Sequence, residues 1–225
     1  MIVVTGASKG LGRAICERLK SKNIEVFGLA RDVSDLSFPG MSCDVSSYKE
    51  VKSIAQHLKR EGINVDGLIN AAGIASMNLA ITTPPEVSER IIRTNLLGTI
   101  FCCQIFAPFL IRNKIGNIIN FSTIAVALGL KGESVYAASK AGVEGFTRSF
   151  AREMADFSVN VNCIAPGPID TNLLKGLTAS QIAKIIAQQI IPRQYTPDTI
   201  SDLVELLLDK RSASLSGQVL HVGGV

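Results

Sequence analysis

Tyr136 and Lys140 stand four residues apart in the stretch Tyr136-Ala137-Ala138-Ser139-Lys140, at the start of a segment with helical periodicity. That spacing sets a phenol and an ammonium on one helix face. A free phenol has a pKa of about 10 and is a poor acid or base at neutral pH. A neighbouring ammonium stabilises the phenolate and draws that pKa toward the working range. The chemistry such a pair suits is proton transfer at an oxygen.

A second chemical feature comes earlier. Thr5-Gly6-Ala7-Ser8-Lys9-Gly10-Leu11-Gly12 follows the first apolar strand and opens the first helix. Its glycines let the backbone pass close to a pyrophosphate, and the free N–H groups of the helix start can bind one. The spacing is G-x-x-x-G-x-G, and its place after an N-terminal strand marks a dinucleotide site. The end of the second strand, Leu29-Ala30-Arg31-Asp32, bears on which dinucleotide. NAD sites normally place a carboxylate there for the ribose hydroxyls, whereas a 2′-phosphate calls for cations. Ala30 occupies the acidic place, Arg31 follows it, and Lys9 reaches the same region from the turn; NADP(H) is expected. NAD(H) is the alternative, with Asp32 on the ribose and Arg31 a solvated loop charge.

Short β-rich runs at 2–5, 24–29, 40–43, 66–70, 116–121, 159–164 and 217–222 position these groups. Between them lie helical patterns at 11–21, 47–60, 86–112, 135–155, 179–190 and 197–209. This alternation predicts an α/β fold of the Rossmann type, a doubly wound parallel sheet of about seven strands with helices on both faces. Residues 31–40 are too short and too Pro/Gly-marked for a crossover helix, so a turn is expected. The segment 172–196 begins after a Pro-Gly-Pro turn and ends before Pro197, as a substrate-side helical insertion or lid would. No repeat or domain boundary divides residues 1–225, so a single domain is expected.

Composition narrows the function classes. The chain is 47% hydrophobic and 19% charged, enough for one sizeable core. Its net charge of +4 is spread along the chain, which does not indicate nucleic-acid binding. Five cysteines without a C-x-x-C pair, and only two histidines, His57 and His221, argue against a disulfide framework and a metal site. Gly, Pro, Asn or charge interrupts the apolar stretches before membrane-spanning length. Ile2-Val3-Val4 already reads as a strand with no basic leader before it, so a cytoplasmic location is expected.

With Asn70-Ala71-Ala72-Gly73 after strand four, Asn95, Ser122-Thr123 after strand five, and Pro166-Gly167-Pro168-Ile169-Asp170-Thr171 after strand six, the whole chain resembles the short-chain dehydrogenase/reductase family. The resemblance implies that Tyr136 gives its proton to a carbonyl oxygen while hydride arrives from the nicotinamide. Lys140 would lower the tyrosine pKa and hold the nicotinamide ribose, and Asn95 would anchor a water linking the lysine to solvent. Gly6, Ser8, Lys9, Gly10, Leu11 and Gly12 would hold the phosphates, with Arg31 at the 2′-phosphate. Asp44 and Val45 would meet the adenine; Asn70, Ala71 and Gly73 its ribose; Pro166, Gly167, Ile169 and Thr171 the nicotinamide end.

Two departures stand out. The family usually has a serine thirteen residues before the tyrosine, and that position here is Thr123, preceded by Ser122. A threonine hydroxyl can also donate to a substrate oxygen, but its methyl restricts the rotamer. Thr123 is preferred because strand alternation turns Ser122 to the opposite face; Ser122 is the alternative. At the terminus, Gly223 replaces a frequent acidic residue, and His221 reads as a strand or interface residue.

Within the family the nearest resemblance is to 3-oxoacyl-(acyl-carrier-protein) reductases, carried by the lysine-bearing phosphate turn and by the stretch 171–188. It implies a carrier-bound thioester as substrate, engaged through basic residues beside the entrance, where Lys114 and Lys175 match, with Arg112 close by. Ordinary solvated lysines are the other reading. Another small ketone, quinone, sugar or secondary-metabolite intermediate remains open, as does a non-catalytic NADP-binding regulatory protein. The surplus apolar residues of 86–112 and 135–155 imply a homodimer or homotetramer.

Overall fold

The computed structural model describes residues 1–114, 116–170 and 178–225. Seven parallel strands form one sheet: β1 (Ile2–Thr5), β2 (Val26–Ala30), β3 (Gly40–Ser42), β4 (Gly67–Asn70), β5 (Gly116–Phe121), β6 (Val159–Pro166) and β7 (Val219–Val222). Their order is β3-β2-β1-β4-β5-β6-β7, the doubly wound arrangement expected. The chain winds outward from β1 to β3, then returns to place β4 on β1's other side, with Thr5 opposite Asn70. In sheets wound this way a crevice forms at the switch point, beyond the strands' carboxyl ends.

Strand alternation feeds two apolar layers. Val3, Leu68, Ile118 and Val161 point to one face, where α2 (Tyr48–Arg60), α4 (Gly98–Asn113) and α6 (Ser134–Ala155) pack. Val4, Ile69, Ile119 and Ile164 point to the other, covered by α1 (Gly10–Ser21) and α8 (Pro197–Leu208). Each fully buried Ile, Leu or Phe stabilises the fold by about 1.5–3 kcal/mol relative to exposure. Arg18 on α1 ties the second layer together by ion pairs with Asp202 and Glu205 of α8. All five cysteines are buried and unpaired.

The predicted helix 86–112 runs unbroken from Pro85 to Asn113, but with a change of winding inside it. It consists of α3 (Pro85–Ile92), a π-helical turn at Arg93–Leu97, and α4. The extra residue of a π-turn rotates the apolar face by about 100°, a step that does not show here because α4 is apolar on most sides; such turns gather at functional sites. The run Pro85–Asn113 is long and apolar enough to cross a bilayer, yet half of its most apolar window is buried inside the fold. The short helix α5 (Ala125–Leu128) after β5 was not foreseen from the sequence.

In the substrate-side segment, α7 covers Ala179–Ile186, four residues fewer at its end than the periodicity suggested. Thr178 and Gln181 close its start as a reciprocal capping box. Past its end, the Ile191 N–H donates to the Gly223 carbonyl at 2.8 Å, and Pro192 keeps Ile191 out of the helical region.

Candidate active site

Thr5 and Gly6 lead from β1 into the crevice, and local sterics fix the turn. Gly6 has a φ of +70°, and a Cβ there would lie 2.8 Å from the Ala72 Cα. A Cβ on Gly12 would fall 2.5 Å from the Gly6 carbonyl oxygen, so α1 approaches the turn only because this residue is glycine. The Thr5 hydroxyl accepts from the Ala72 N–H at 3.0 Å, joining the turn to the loop after β4. Lys9, the residue before α1, makes no side-chain cap, and the first turn of α1 holds no acidic residue. Its free N–H groups suit a phosphate. A nicotinamide dinucleotide fits this cradle: Gly6, Ser8, Lys9, Gly10, Leu11 and Gly12 all belong to the turn or first helical residues, with Lys9 and Gly10 exposed.

At the end of β2, Ala30 is buried and Arg31 is exposed. Asp32 is engaged locally, one carboxylate oxygen accepting from the Ser34 N–H at 3.0 Å and the Ser34 hydroxyl at 2.8 Å. These bonds hold its pKa below the usual carboxylate range. Asp44, beyond β3, accepts from the Ser46 N–H at 2.9 Å, while Val45 is buried against Gly98. Asn70 ends β4 with its amide donating to the Asn120 side chain at 2.8 Å; its own carbonyl oxygen is buried without a partner. Ala71 and Gly73 are half-buried in the loop that follows.

The reactive groups gather where β4, β5 and α6 meet. Asn95 sits in the π-turn, wholly buried. Its side chain clasps Ile74, accepting from the N–H at 2.8 Å and donating to the carbonyl at 2.9 Å. It also donates to the Ser139 hydroxyl at 3.0 Å, which ties the π-turn to α6. A Cβ on Gly73 would lie 3.4 Å from Asn95 Oδ1 and 3.5 Å from Lys140 Nζ, so this glycine faces both polar atoms.

Lys140 is 5% exposed and donates from Nζ to the Phe121 carbonyl at 2.8 Å. Burial lowers its pKa to about 8. Tyr136 is 7% exposed. Burial holds its phenol well above the ordinary value, the Glu133 carboxylate adds to this, and a hydrogen bond with the Thr123 hydroxyl pulls the other way. In this arrangement the Lys140 ammonium is bonded to the strand rather than to the phenol. The phenol therefore stays protonated at neutral pH, in the form that gives a proton away.

The two adjacent hydroxyls part company. The Thr123 hydroxyl accepts from the Ala125 N–H at 3.2 Å and is near enough to Tyr136 to lower the phenol's pKa. Ser122 is 4% exposed and donates to the Glu144 carboxylate at 2.6 Å. Pro166 ends β6 and its carbonyl accepts from the Ile124 N–H at 3.0 Å; Ile169, in the loop beyond, bridges to Tyr195. Thr171 and Lys175 lie outside the described residues.

The family model for short chain dehydrogenases matches residues 1–182. The chain belongs to the short-chain dehydrogenase family. It is therefore an oxidoreductase of alcohol and carbonyl groups, from a family that uses nicotinamide cofactors. It is 34% identical to the 3-oxoacyl-(acyl-carrier-protein) reductase FabG of Vibrio cholerae, over 99% of this chain and 95% of that protein. It is 32% identical to carbonyl reductase family member 4 of Xenopus tropicalis, over 98% of this chain and 95% of that one. Among solved structures, the ligand-free aldohexose dehydrogenase of Thermoplasma acidophilum superposes with a TM-score of 0.89 at 29% identity, covering 99% of this chain and 92% of that one.

Lys114 does not lie beside the active-site entrance of this short-chain dehydrogenase, as its sequence position suggests. Lys114 precedes β5 and lines a cavity of about 500 Å³ with Asn117, Asn160 and Lys210 at the sheet's amino end. The whole of β5 separates it from Thr123, so within one chain it does not flank the entrance. Sequence spacing placed it near the strand but could not say which end faces substrate. Reasoning from sequence also passed over Ser139 and Glu144, ordinary helix residues until the fold brings Asn95 and Ser122 to them. Gln189 is a third: 5% exposed, its amide oxygen is buried without a partner against Gly167 and Gly223.

Proposed function

We propose that this protein reduces a carbonyl to an alcohol with NADPH, and that the carbonyl is the 3-oxo group of an acyl thioester. The feature that supports the reading is the convergence of the β5 end on α6: Lys140 donates to the Phe121 carbonyl, Gly73 faces both Asn95 and Lys140, and the Thr123 hydroxyl is near enough to Tyr136 to pull its pKa down. A carbonyl oxygen seated against both would accept a hydrogen bond from Thr123 and the proton of Tyr136. Bound NADPH supplies the hydride for the carbonyl carbon. Lys140, with its pKa near 8, is suited to return a proton toward the phenol, and Asn95 holds the wall of that path.

The phosphate turn would hold the pyrophosphate, Asp44 and Val45 the adenine, Asn70, Ala71 and Gly73 the ribose, and Pro166, Gly167, Ile169 and Thr171 the nicotinamide. NADPH is favoured over NADH because Ala30 offers no carboxylate, Arg31 is exposed, and Asp32 is already committed to Ser34. The thioester reading is supported by the name of the Vibrio relative and by exposed apolar residues at the sheet's carboxyl end. Ile81 follows β4 and is 91% exposed; Ile190 packs on Gly224 beyond β7 and is 73% exposed. Such a rim suits an acyl chain. The same reading makes the protein a cytoplasmic homodimer or homotetramer joined through α4 and α6, where Phe101, Ile105 and Phe146 are only half-buried.

The test is a substrate panel run separately with NADPH and NADH: carrier-bound and coenzyme-A 3-oxoacyl thioesters, small ketones, quinones and aldohexoses. Fastest turnover of a thioester with NADPH is expected. Preference for an aldohexose would move the substrate to sugars, and tight cofactor binding with no turnover on any carbonyl would make this a binding protein. Replacing Arg31 by Asp should raise the NADPH KM at least about tenfold while sparing NADH, the loss of one charged hydrogen bond being about 1.5–3 kcal/mol.

A further inference from the structure

Four consecutive residues at the end of β5 grip one face of α6. Asn120 donates from its amide to the Thr147 hydroxyl at 2.9 Å. The Phe121 carbonyl receives Lys140 and Ser122 donates to Glu144 at 2.6 Å, while Thr123, the next residue, is near enough to Tyr136 to lower its pKa. On the helix, Tyr136, Lys140 and Glu144 follow one another at four-residue steps, hence on one face. Glu144 is a carboxylate only 7% exposed, with the Arg148 guanidinium 3.8 Å from its second oxygen. Ser122 is fixed on its other side by its N–H, which donates to the Ile164 carbonyl of β6 at 2.8 Å.

Packing alone does not call for this arrangement. Two well-fitted apolar side chains would hold helix to strand at least as well as a buried carboxylate. What the bond adds is direction: a charge-assisted hydrogen bond is short and angle-dependent. It fixes where Ser122 sits along α6, and Thr123 is the next residue.

We propose that Glu144 is a positioning residue: by holding the Ser122 hydroxyl it sets the register of the β5 end against α6, and so places the Thr123 hydroxyl on Tyr136. The proposal rests on the reading of Thr123 and Tyr136 as the groups that hold and protonate the carbonyl oxygen. Glu144 itself touches neither substrate nor cofactor. Misplacing a reacting group by about 1 Å costs roughly 10²-fold in rate.

The experiment compares Glu144→Ala, Glu144→Gln, Ser122→Ala and the Ser122→Ala/Glu144→Ala double variant, each by steady-state kinetics and by crystal structure. The expected result is a kcat lowered about 10- to 100-fold in Glu144→Ala with the cofactor KM unchanged. Glu144→Gln, whose amide oxygen still accepts from Ser122, restores most of it. Ser122→Ala matches Glu144→Ala, and the double variant is no worse than either, because both act through one bond. In the crystal, Thr123 leaves the phenol in the alanine variants and returns to it in Glu144→Gln.

An unmoved Thr123 in Glu144→Ala overturns the proposal whatever the kinetics show. So does a large loss in Ser122→Ala with none in Glu144→Ala, which would make Ser122 the substrate-facing hydroxyl. If Glu144→Ala does not fold, Ser122→Ala and Glu144→Gln decide by the same position of Thr123. If the wild-type chain reduces no carbonyl at all, the functional reading fails, and the crystal structures still judge the register.

Discussion

The phosphate turn and the β5–α6 seam lie at the same end of one sheet but are built on opposite principles. The turn is backbone: Gly6 and Gly12 come together because neither carries a Cβ, and α1 offers uncapped N–H groups rather than side chains. The seam is side chain: Thr123, Tyr136, Lys140, Asn95 and Glu144 are buried or half-buried and held by specific hydrogen bonds. The first depends on the absence of side-chain atoms, the second on particular side-chain atoms and on where they sit. A binding site for an invariant pyrophosphate needs shape; a proton path needs particular atoms with particular pKa values.

The sharpest break in that comparison comes from Tyr136→Phe. Loss of the proton donor should lower carbonyl reduction by about 10²–10⁴-fold, leaving cofactor affinity by titration unchanged; a parallel loss of affinity would show that the two regions are not separable. Gly12→Ala should do the converse. With the Gly6 carbonyl 2.5 Å from the new Cβ, the turn must shift, costing about 1–3 kcal/mol in thermal unfolding and weakening cofactor binding. A Gly12→Ala protein with full affinity would mean that the turn is more pliant than its geometry indicates.

A third prediction sharpens the seam alone. Burial depresses the Lys140 pKa to about 8, so its ammonium is intact below that pH and lost above it, while the phenol stays protonated throughout. Reduction should therefore be flat through neutrality and decline above pH about 8, and the residual activity of Lys140→Met should lack that limb. An unchanged limb in the variant would assign it to another group. The smallest effect expected concerns Cys43 and Cys103, whose thiols burial pushes up to about 12. Native protein should react with a maleimide far more slowly than unfolded protein, without loss of activity.

Much of this was legible before folding. The seven strands, the glycine turn, the short β2–β3 connection and the shared face of Tyr136 and Lys140 all follow from periodicity and local spacing, because each involves residues a few positions apart. The preference for Thr123 over Ser122 at the phenol rested on strand alternation, itself a local rule. The π-turn at Asn95 is not legible in the sequence, since the helix that follows it is apolar on most sides and hides the rotation of about 100° that an extra residue brings. Lys114 was placed beside the entrance and lies at the far end of β5.

By itself the sequence determined the winding of the sheet, the glycine-rich turn and the shared helix face of Tyr136 and Lys140, since short-range sterics and hydrophobic alternation decide those. Only the tertiary structure decided that Lys140 bonds the Phe121 carbonyl, that Asn95 reaches Ser139, and that Ser122 finds Glu144. Each of these joins residues 19 to 44 positions apart. A hydrogen bond depends on distance and angle between atoms, and no spacing rule carries that across a strand, a loop and a helix.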